Sequence, residues 1–239
     1  MTLAVRDEKG FVAIQPIWQG KPVVCIAGGP SLSPQQLNVI RDARERDLIR
    51  IIAVNDAYLL APYADACYFA DAKWWKWHAA GLEKRWPWIR FTADQVRQAH
   101  ASFAGQWLSI EHPECIRHES VFLLRNMGAE GLSDNPGGIC TGSNSGYQAL
   151  NVAVHSAGRP ILLVAYDMRW IGNRSHSHDG HPHREIDGTY AGYAQKFISL
   201  ENPLRKLGVQ VINCTPGSRI RAFPFGELEQ ALGACAHTS

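Results

Sequence analysis

The sequence predicts an α/β protein with a mostly parallel sheet that is covered by helices on both faces. Two observations carry this prediction. Short apolar runs of strand length alternate with amphipathic helical stretches, and the strong runs end in glycine, asparagine or aspartate. Strands that are buried on both faces have continuous apolar sequences, as these runs do. The 239 residues suit one α/β domain, because such domains often exceed about 200 residues.

The first strand–helix unit contains the most distinctive turn of the chain. Residues 23–27 form an apolar run that breaks into Gly28 and Gly29, and Ser33 and Pro34 suit the N-cap and first turn of a helix. Glycine lets the backbone approach a ligand closely, and a helix N-terminus offers N–H groups to a phosphate. The segment predicts either a phosphate cradle or a plain tight turn. It lacks both the dinucleotide fingerprint and the P-loop motif.

Further strands and helices follow with short connections. Strands are predicted at residues 49–54, 66–70, 89–92, 121–124, 160–166 and 209–213, and helices at residues 144–157 and 190–207. Asn55, Asp56, Asp71 and Asp167 each follow one of these strands. Ligands of parallel α/β sheets lie beyond the C-terminal strand ends, so these residues and the glycine turn predict one shared site.

This alternation predicts a single Rossmann-like three-layer domain over residues 21–232. We expect residues 1–20 to form an N-terminal extension and residues 233–239 to form a frayed tail. The oligomeric state is left open, and a homo-oligomer is compatible with the sequence.

The composition argues against several classes of function. A formal net charge of +2 gives no whole-chain field that favours nucleic acid. No apolar run reaches the ~20 residues that span a bilayer, and the first residues lack a signal-peptide core, which predicts a cytoplasmic protein without a membrane partner. Cys25, Cys67 and Cys214 fall in apolar runs without a C-x-x-C pair, so we expect reduced core cysteines rather than disulfides or a cysteine zinc site.

A second motif opens the helix predicted at residues 144–157. Thr141, Gly142 and Ser143 offer hydroxyl groups and a flexible backbone to a phosphate or a ribose. Plain N-capping by Thr141 or Ser143 would use the same residue types. The second glycine, Gly146, favours the approach of a ligand.

A histidine-rich loop forms the third motif, over residues 173–184. It follows the strong strand that ends at Asp167, and it contains His176, His178, His181 and His183. Clustered histidines indicate either metal ligation or acid–base chemistry. We favour a general acid/base histidine, with Arg174 or Arg184 on a phosphate, over a structural zinc site. The loop is long enough to become ordered when a substrate binds.

Tryptophans alternate with basic residues over residues 73–88. This pattern has two interpretations. An amphipathic helix that buries its tryptophans is the favoured one, and a platform that stacks on the bases or sugars of an acceptor is the alternative.

The ordered motifs resemble a known group of proteins. The series comprises residues 27–32, Asn55, the Thr141–Ser143 segment, a strand that ends in Tyr166 and Asp167, a histidine loop, and residues 211–218. It resembles the Rossmann-like group that contains the Campylobacter-type sialyltransferases and the archaeal 6-hydroxymethylpterin pyrophosphokinases (MptE-like, DUF115). Residues 213–218 look most like uncharacterised phage and prophage members of this group. The resemblance covers about residues 20 to 232.

The resemblance to the sialyltransferases implies a nucleotide site and a catalytic base. It places Gly28, Gly29, Ser31, Asn55, Thr141, Gly142 and Ser143 at the nucleotide, and His178 or His181 as the catalytic base. From their positions at strand ends, we expect Asp71 to join the nucleotide site and Asp167 to join the catalytic set. The phosphate tyrosines of the sialyltransferases have no secure counterpart, although Tyr190 and Tyr193 lie downstream. The pyrophosphokinase branch instead implies magnesium, held by residues such as Asp71 and Asp167.

Three functions follow as hypotheses. The first is a glycosyltransferase that takes a nucleotide-activated sugar as co-substrate and uses a loop histidine as base. The second is a magnesium-dependent enzyme that transfers diphosphate. The third is a phage nucleotide-binding protein without catalysis. The acceptor is unknown in the first case, and a modified DNA base is one candidate that the tryptophan stretch could stack upon.

Overall fold

The computed structural model describes residues 4–7, 11–70, 74–75, 77–78, 80–81, 89–93, 121–177 and 186–236. Its main sheet has eight strands, and each neighbouring pair is parallel. In chain order these are β3 (Val23–Ile26), β4 (Arg50–Val54), β5 (Ala66–Tyr68), β6 (Ile89–Ala93), β7 (Val121–Gly128), β8 (Gly138–Cys140), β9 (Ile161–Val164) and β10 (Val211–Asn213). The predicted α/β class with a mostly parallel sheet is confirmed.

Several α-helices and one 3₁₀ helix have both ends in the described part of the chain, and residues 74–75, 77–78 and 80–81 are also helical. Those with both ends described are α1 (Pro34–Glu45), α2 (Ala57–Leu60), α3 (Ser145–His155), α4 (Asp187–Lys196), the 3₁₀ helix (Phe197–Leu200), α5 (Glu201–Lys206) and α6 (Leu228–Ala236). The predicted helix at residues 190–207 is therefore wrong as a single helix. It begins at Asp187 and passes through the 3₁₀ turn. Pro203 lies in the first turn of α5, where its missing N–H costs nothing.

The helices cover both faces of the sheet, because the central strands are buried on both sides. Along β3, Val23 and Cys25 belong to one apolar cluster, and Val24 and Ile26 belong to the other. Buried residues of α3, the 3₁₀ helix and α5 pack in the first cluster, and buried residues of α1, α2 and α6 pack in the second. This alternation is the period of two that a strand imposes on its side chains, and it explains the continuous apolar runs in the sequence.

The N-cap of α1 is the residue that the sequence predicts, and the N-cap of α3 is not. Ser33 caps α1 in a capping box with Gln36, as predicted. Plain N-capping of α3 by Thr141 or Ser143 was the alternative interpretation of the second motif, and the structure contradicts it. Asn144 is the N-cap, because its backbone is extended and its side chain accepts a hydrogen bond from the N–H of Tyr147.

Three short strands lie outside the sequence prediction. A two-stranded antiparallel sheet joins β1 (Ala4–Arg6) and β2 (Val12–Ile14), and β8 extends the edge of the main sheet beside β7. Each has three residues, too few to show a period. Val12, Ile14 and Trp18 are buried, so part of the segment predicted as an extension packs into the core. The domain limits themselves stay predictions.

The strand order creates a single switch point. The order across the sheet is β10-β9-β3-β4-β5-β6-β7-β8, so the chain runs outward from β3 in one direction and later returns to its other side at β9. Doubly wound sheets bind ligands in the crevice beyond the strand ends at such a point. In this protein the crevice lies where the turn after β3 meets the turn after β9.

Burial of Cys25, Cys67 and Cys214 is confirmed, and with Cys140 they are free thiols. Burial raises the pKa of the Cys25 thiol to about 12, so this sulfur stays protonated. Among the helices of the described residues, none is long and apolar enough to cross a membrane.

Candidate functional site

A cleft of about 320 Å³ opens at the switch point. It lies beyond the C-terminal ends of β3, β4 and β9 and beside the N-terminus of α3. The residues that line it are Ala27, Gly28, Gly29, Pro30, Val54, Asn55, Asp56, Trp74, Trp77, Ser143, Asn144, Ser145, Gly146, Ala165, Tyr166, Asp167, Met168, Arg169, Ser175, His176, Tyr190 and Tyr193. A cleft of this size, with convergent polar groups, is typical of sites for small molecules and cofactors.

Four residues that line the cleft have a left-handed backbone without being glycine. They are Asn55 (φ 50°), Ser143 (φ 59°), Ala165 (φ 60°) and Met168 (φ 50°). This conformation costs an L-residue about 1–2 kcal/mol, and asparagine tolerates it best. Such strain collects at binding and catalytic sites, where the surrounding structure holds it in place. The backbone thus points to the same place as the side chains.

The two glycines of the first turn have different neighbours. A Cβ on Gly29 would lie 2.0 Å from Asp167 Oδ2 and 2.3 Å from the Ala165 carbonyl oxygen. A Cβ on Gly28 would meet only His176 Cδ2, at 3.9 Å. Gly29 is therefore needed for the close packing of two turns, and Gly28 faces the histidine loop.

The donors of this turn are largely used within the protein. The N–H of Gly29 donates to the Ala165 carbonyl oxygen at 3.0 Å, and the N–H of Leu32 donates to the Gly29 carbonyl oxygen at 3.2 Å. The capping box already satisfies the start of α1. The turn thus presents fewer free N–H groups to a phosphate than the strand–glycine–helix pattern predicts.

Asp167 is the buried acid of the cleft. Its Oδ2 accepts hydrogen bonds from the Ser31 hydroxyl at 2.8 Å and the Ser31 N–H at 3.3 Å. Its Oδ1 is buried and has no partner among the described residues. Burial raises the pKa of Asp167, and the hydrogen bonds from Ser31 and the charge of Arg169 only partly offset this rise. A carboxyl group held this way can accept a hydrogen bond from a ligand at Oδ1.

Residues 213–218, which carried part of the family resemblance, form a brace behind the cleft. Thr215 Oγ1 accepts from the N–H of Tyr166 at 2.9 Å, and the Ser218 hydroxyl donates to the Tyr166 carbonyl oxygen at 2.6 Å. Asn213 accepts from the Thr215 N–H at 3.1 Å and donates to the Ile220 carbonyl oxygen at 3.2 Å. The brace holds the turn after β9 in its left-handed shape.

The N-terminus of α3 forms the wall opposite the glycine turn. Ser145 and Gly146 occupy the first two helical positions, where N–H groups have no acceptor inside the helix. Asn55 Nδ2 donates to Ser145 Oγ at 3.3 Å, which ties the turn after β4 to this helix. The helix dipole adds positive potential at this point. Oxygen atoms of a phosphate or a ribose can bind here.

Only the first part of the histidine loop is described, and it docks on the glycine turn. The Ser177 N–H donates to the Gly28 carbonyl oxygen at 2.9 Å, and His176 lines the cleft with its Nδ1 3.0 Å from Ser175 Oγ. His178, His181 and Arg184 lie outside the described residues, so their predicted roles stay predictions. The histidine that the structure places in the cleft, His176, was outside the favoured pair.

The tryptophan stretch combines a buried part with an exposed part. Trp74 and Trp75 are buried and stack on Phe69 at 5.0 and 5.4 Å between ring centroids, which confirms the favoured interpretation for these two residues. Trp77 is 54% exposed and lines the cleft. Tyr190 and Tyr193 line it as well. The cleft therefore has an aromatic part at which a ring could stack.

The described residues contain no cluster of three or more metal-ligating side chains (histidine, cysteine, aspartate or glutamate). Magnesium needs several oxygen ligands in octahedral arrangement. Asp56 accepts a hydrogen bond from Trp74 and lies 3.3 Å from His78 Nε2. Asp71, the other predicted ligand beside Asp167, lies outside the described residues.

The structure thus gathers part of the predicted site. Five predicted residues line the cleft: Gly28, Gly29, Asn55, Ser143 and Asp167. Ser31 stands behind Asp167. Gly142 lies against Tyr147, whose ring would be 2.1 Å from an added Cβ, and Thr141 precedes it outside the lining. Arg174 also lies outside the lining; it is exposed and donates to the Ser177 carbonyl oxygen at 2.8 Å.

Several lining residues were absent from the sequence prediction. The polar ones are Asn144, Ser145, Arg169 and Ser175, and His176 was named in the histidine loop but was not one of the two favoured histidines. Arg169 follows the strand end by five residues, and a basic residue so close to Asp167 was a signal that could have found it.

Comparison with known proteins identifies a shared fold. The chain is similar to the MAf glycosyltransferase from Magnetospirillum magneticum AMB-1, with a TM-score of 0.61 and 13% sequence identity. The match covers 99% of this chain and 39% of that chain, so this protein spans about two fifths of its neighbour's length. No family model and no curated protein matches the sequence. The finer resemblance to the sialyltransferase and pyrophosphokinase group stays a prediction.

The two glycines of the first turn provide a matched pair of variants. Gly29→Ala forces a methyl group into Asp167 and the Ala165 carbonyl group, and we expect it to lower the free energy of unfolding by about 2 kcal/mol or more. In Gly28→Ala the new methyl group makes only an ordinary van der Waals contact, so the free energy of unfolding should change by less than about 0.5 kcal/mol. Urea denaturation measures both. Equal losses in the two variants would contradict the packing role of Gly29.

The raised pKa of Asp167 predicts a pH-dependent stability. The folded protein holds this proton more tightly than the unfolded chain, so wild-type stability falls as pH rises from the ordinary value of 3.8 through the folded pKa. Asp167→Asn lacks this titration. Its stability relative to wild type should therefore increase with pH across that window and then level off, as measured by urea denaturation between pH 4 and 8.

Asp47→Asn is the matched control for this titration. Hydrogen bonds from Arg50 and Lys21 lower the pKa of Asp47 to about 2, and asparagine accepts its φ of 59°. The wild-type advantage over this variant should shrink as pH falls from 3.8 towards 2, the opposite sense. A relative stability of Asp167→Asn that stays flat with pH would show that Asp167 titrates normally.

Proposed function

We propose that this protein is a nucleotide-binding transferase, and specifically a glycosyltransferase that uses a nucleotide-activated sugar as donor. The observation that carries the proposal is the cleft at the sheet's switch point, in a fold shared with the MAf glycosyltransferase. Fold alone does not determine chemistry, so the residues of the cleft support the choice. They combine free helix N–H groups, an amide, a buried acid, a histidine and aromatic rings.

The donor nucleotide binds between the glycine turn and the start of α3. Gly28 leaves room for a ligand, Asn55 and Ser143 offer an amide and a hydroxyl group, and the N–H groups at the start of α3 suit a phosphate. Gly29 and Ser31 act through Asp167, which they hold in place. Thr141 and Gly142 support the helix start from outside the lining.

Transfer needs a base and a stabilised leaving group. A histidine of the loop takes the proton of the acceptor hydroxyl group, whose oxygen then bonds to the anomeric carbon of the donor sugar. The bond between that carbon and the phosphate oxygen breaks, and the electron pair leaves with the nucleotide. His178 and His181 are the proposed bases, and His176 is a third candidate because it lines the cleft.

The first test is a thermal-shift panel with CMP, CDP, UDP, GDP, ADP and ATP, each with and without magnesium, followed by turnover assays with the sugar donors of the nucleotides that protect. Protection by a nucleotide and release of that nucleotide from its sugar donor would support the proposal. Diphosphate transfer that a chelator abolishes would favour the pyrophosphokinase hypothesis. Protection with no turnover of any donor would favour a non-catalytic binding protein.

Asn55 tests the nucleotide site without confounding backbone strain. Asn55→Gly keeps the left-handed conformation and removes the amide together with its hydrogen bond to Ser145. We expect a loss of stability of no more than about 1 kcal/mol and about tenfold weaker binding of the protecting nucleotide. Asn55→Ala adds the strain and should also lose about 1–2 kcal/mol of stability. Calorimetry and urea denaturation separate the two effects. Asp47→Gly, at a left-handed position outside the cleft, should leave binding unchanged. Full affinity in Asn55→Gly would remove Asn55 from the site.

The loop histidines test the chemistry. We expect His178→Ala or His181→Ala to lower turnover about 10²- to 10⁴-fold while nucleotide affinity stays within twofold, because a base acts on the acceptor and not on the donor. His176→Ala is tested alongside these two variants. His155→Gln is the control, because His155 lies on α3 against the Gly138 carbonyl group and outside the cleft. Turnover that survives in all three loop variants would overturn the histidine base.

A further inference from the structure

One cation of the cleft, Arg169, has no ion pair or hydrogen bond from its side chain among the described residues. Arg169 lines the cleft, and its Nε is buried without a hydrogen-bond partner among the described residues. The side chain as a whole is half-buried, and its planar fork carries five donors and a permanent charge. A guanidinium N–H that is buried without an acceptor is rare, because charged groups removed from water are normally paired. A buried donor without an acceptor costs about 1–3 kcal/mol, so such a group in a binding cleft requires an explanation.

The brace at residues 213–218 presses directly against this side chain. Gly217 has φ +66°, and a Cβ on it would lie 2.6 Å from Arg169 Nη2 and 3.3 Å from Cζ. The backbone of Gly217 thus forms a shelf for the guanidinium group, and any side chain there would push it away. The left-handed Met168 immediately before Arg169 also fixes the direction in which the arginine leaves the turn.

The nearest acid does not neutralise Arg169. The charge of Arg169 lowers the pKa of Asp167, yet burial dominates and the net effect is a rise. Asp167 directs its Oδ2 to Ser31, and its Oδ1 also lacks a partner among the described residues. An unpaired donor and an unpaired acceptor therefore line one cleft, which is the arrangement expected when a ligand completes both.

We propose that Arg169 binds the phosphate group next to the sugar in the nucleotide donor, on a shelf that Gly217 provides. The proposal deepens the proposed function and rests on it for the identity of the ligand. A guanidinium group binds phosphate through two parallel hydrogen bonds. During transfer the phosphate oxygen gains the electron pair of the broken bond to the anomeric carbon, and a fixed cation stabilises that charge.

Arg169 takes the place that the sequence assigned to another arginine. Arg174 was predicted at the phosphate, but it is exposed, lies outside the cleft lining and donates to the Ser177 carbonyl oxygen. It shapes the start of the histidine loop. Arg184 lies outside the described residues and is not needed for this assignment.

The test uses pyrophosphate and the nucleoside diphosphates CDP, UDP, GDP and ADP as probes, in calorimetry on the full chain. Arg169→Met keeps the length of the side chain and removes its charge, and we expect pyrophosphate and the tightest-binding diphosphate to bind about 10- to 100-fold more weakly. Arg169→Lys keeps the positive charge but lacks the two parallel donors of the guanidinium group, so it should recover part of the lost affinity. Arg174→Met is the matched control and should change neither affinity by more than twofold.

Gly217→Ala tests the shelf against a control with the same backbone. Gly208 has φ +62° and nothing within 4 Å of an added Cβ, so Gly208→Ala carries the same conformational strain without contacting Arg169. We expect Gly217→Ala to weaken diphosphate binding about tenfold and Gly208→Ala to leave it unchanged, at a similar loss of stability in both. Equal affinities in the two alanine variants would overturn the shelf.

The outcomes separate this proposal from the proposed function. Diphosphate binding that is equal in wild type and Arg169→Met overturns the role of Arg169, whether or not sugar transfer is found. Wild type that binds no phosphate probe also overturns it. If Arg169→Met loses phosphate binding and the wild type turns over no sugar donor, Arg169 binds phosphate as proposed and the proposed transferase activity is wrong. If Arg169→Met weakens the binding of N-acetylneuraminate and leaves the affinity for the phosphate probes unchanged, the arginine binds a sugar carboxylate. The phosphate assignment is then wrong.

Discussion

The close approach of Gly29 to the turn after β9 is the contact on which the rest of the site depends. Two strand ends that lie 136 residues apart in sequence, counted from Ser31 to Asp167, meet with no room for a methyl group between them. Ser31 then holds the Asp167 carboxylate through its hydroxyl and its N–H. The glycine turn is therefore a packing element, and it forms one wall of the cleft.

This contact makes the cleft a product of three separate chain segments. The turn after β3 supplies the packing surface, the turn after β9 supplies Asp167 and Arg169, and the brace at residues 213–218 keeps the second turn in its strained form. The left-handed backbone of Ala165 persists because hydrogen bonds from Gly29 to Ala165 and between the brace and Tyr166 hold this turn.

Much of the fold and about half of the site follow from sequence patterns. The strands were predictable because burial on both faces leaves continuous apolar runs, and Asn55 and Asp167 were predictable because parallel strands end at the same edge. The cap of α3 was not, since three neighbouring residues have similar capping ability and only the backbone angles choose Asn144. Ser31 and Arg174 have suitable chemistry but do not line the cleft, and residue type alone does not encode this placement.

The sequence by itself determined the α/β class, the strand ends that carry polar residues, the glycine turn and the capped start of α1, because these depend on local periodicity and residue type. Only the tertiary structure decided which of those residues share a cleft. It gave Gly29 its packing role, made residues 213–218 a brace, and left Arg169 with an unpaired buried donor. The physical reason is that these properties depend on distances between segments far apart in the chain, and no local pattern fixes such distances.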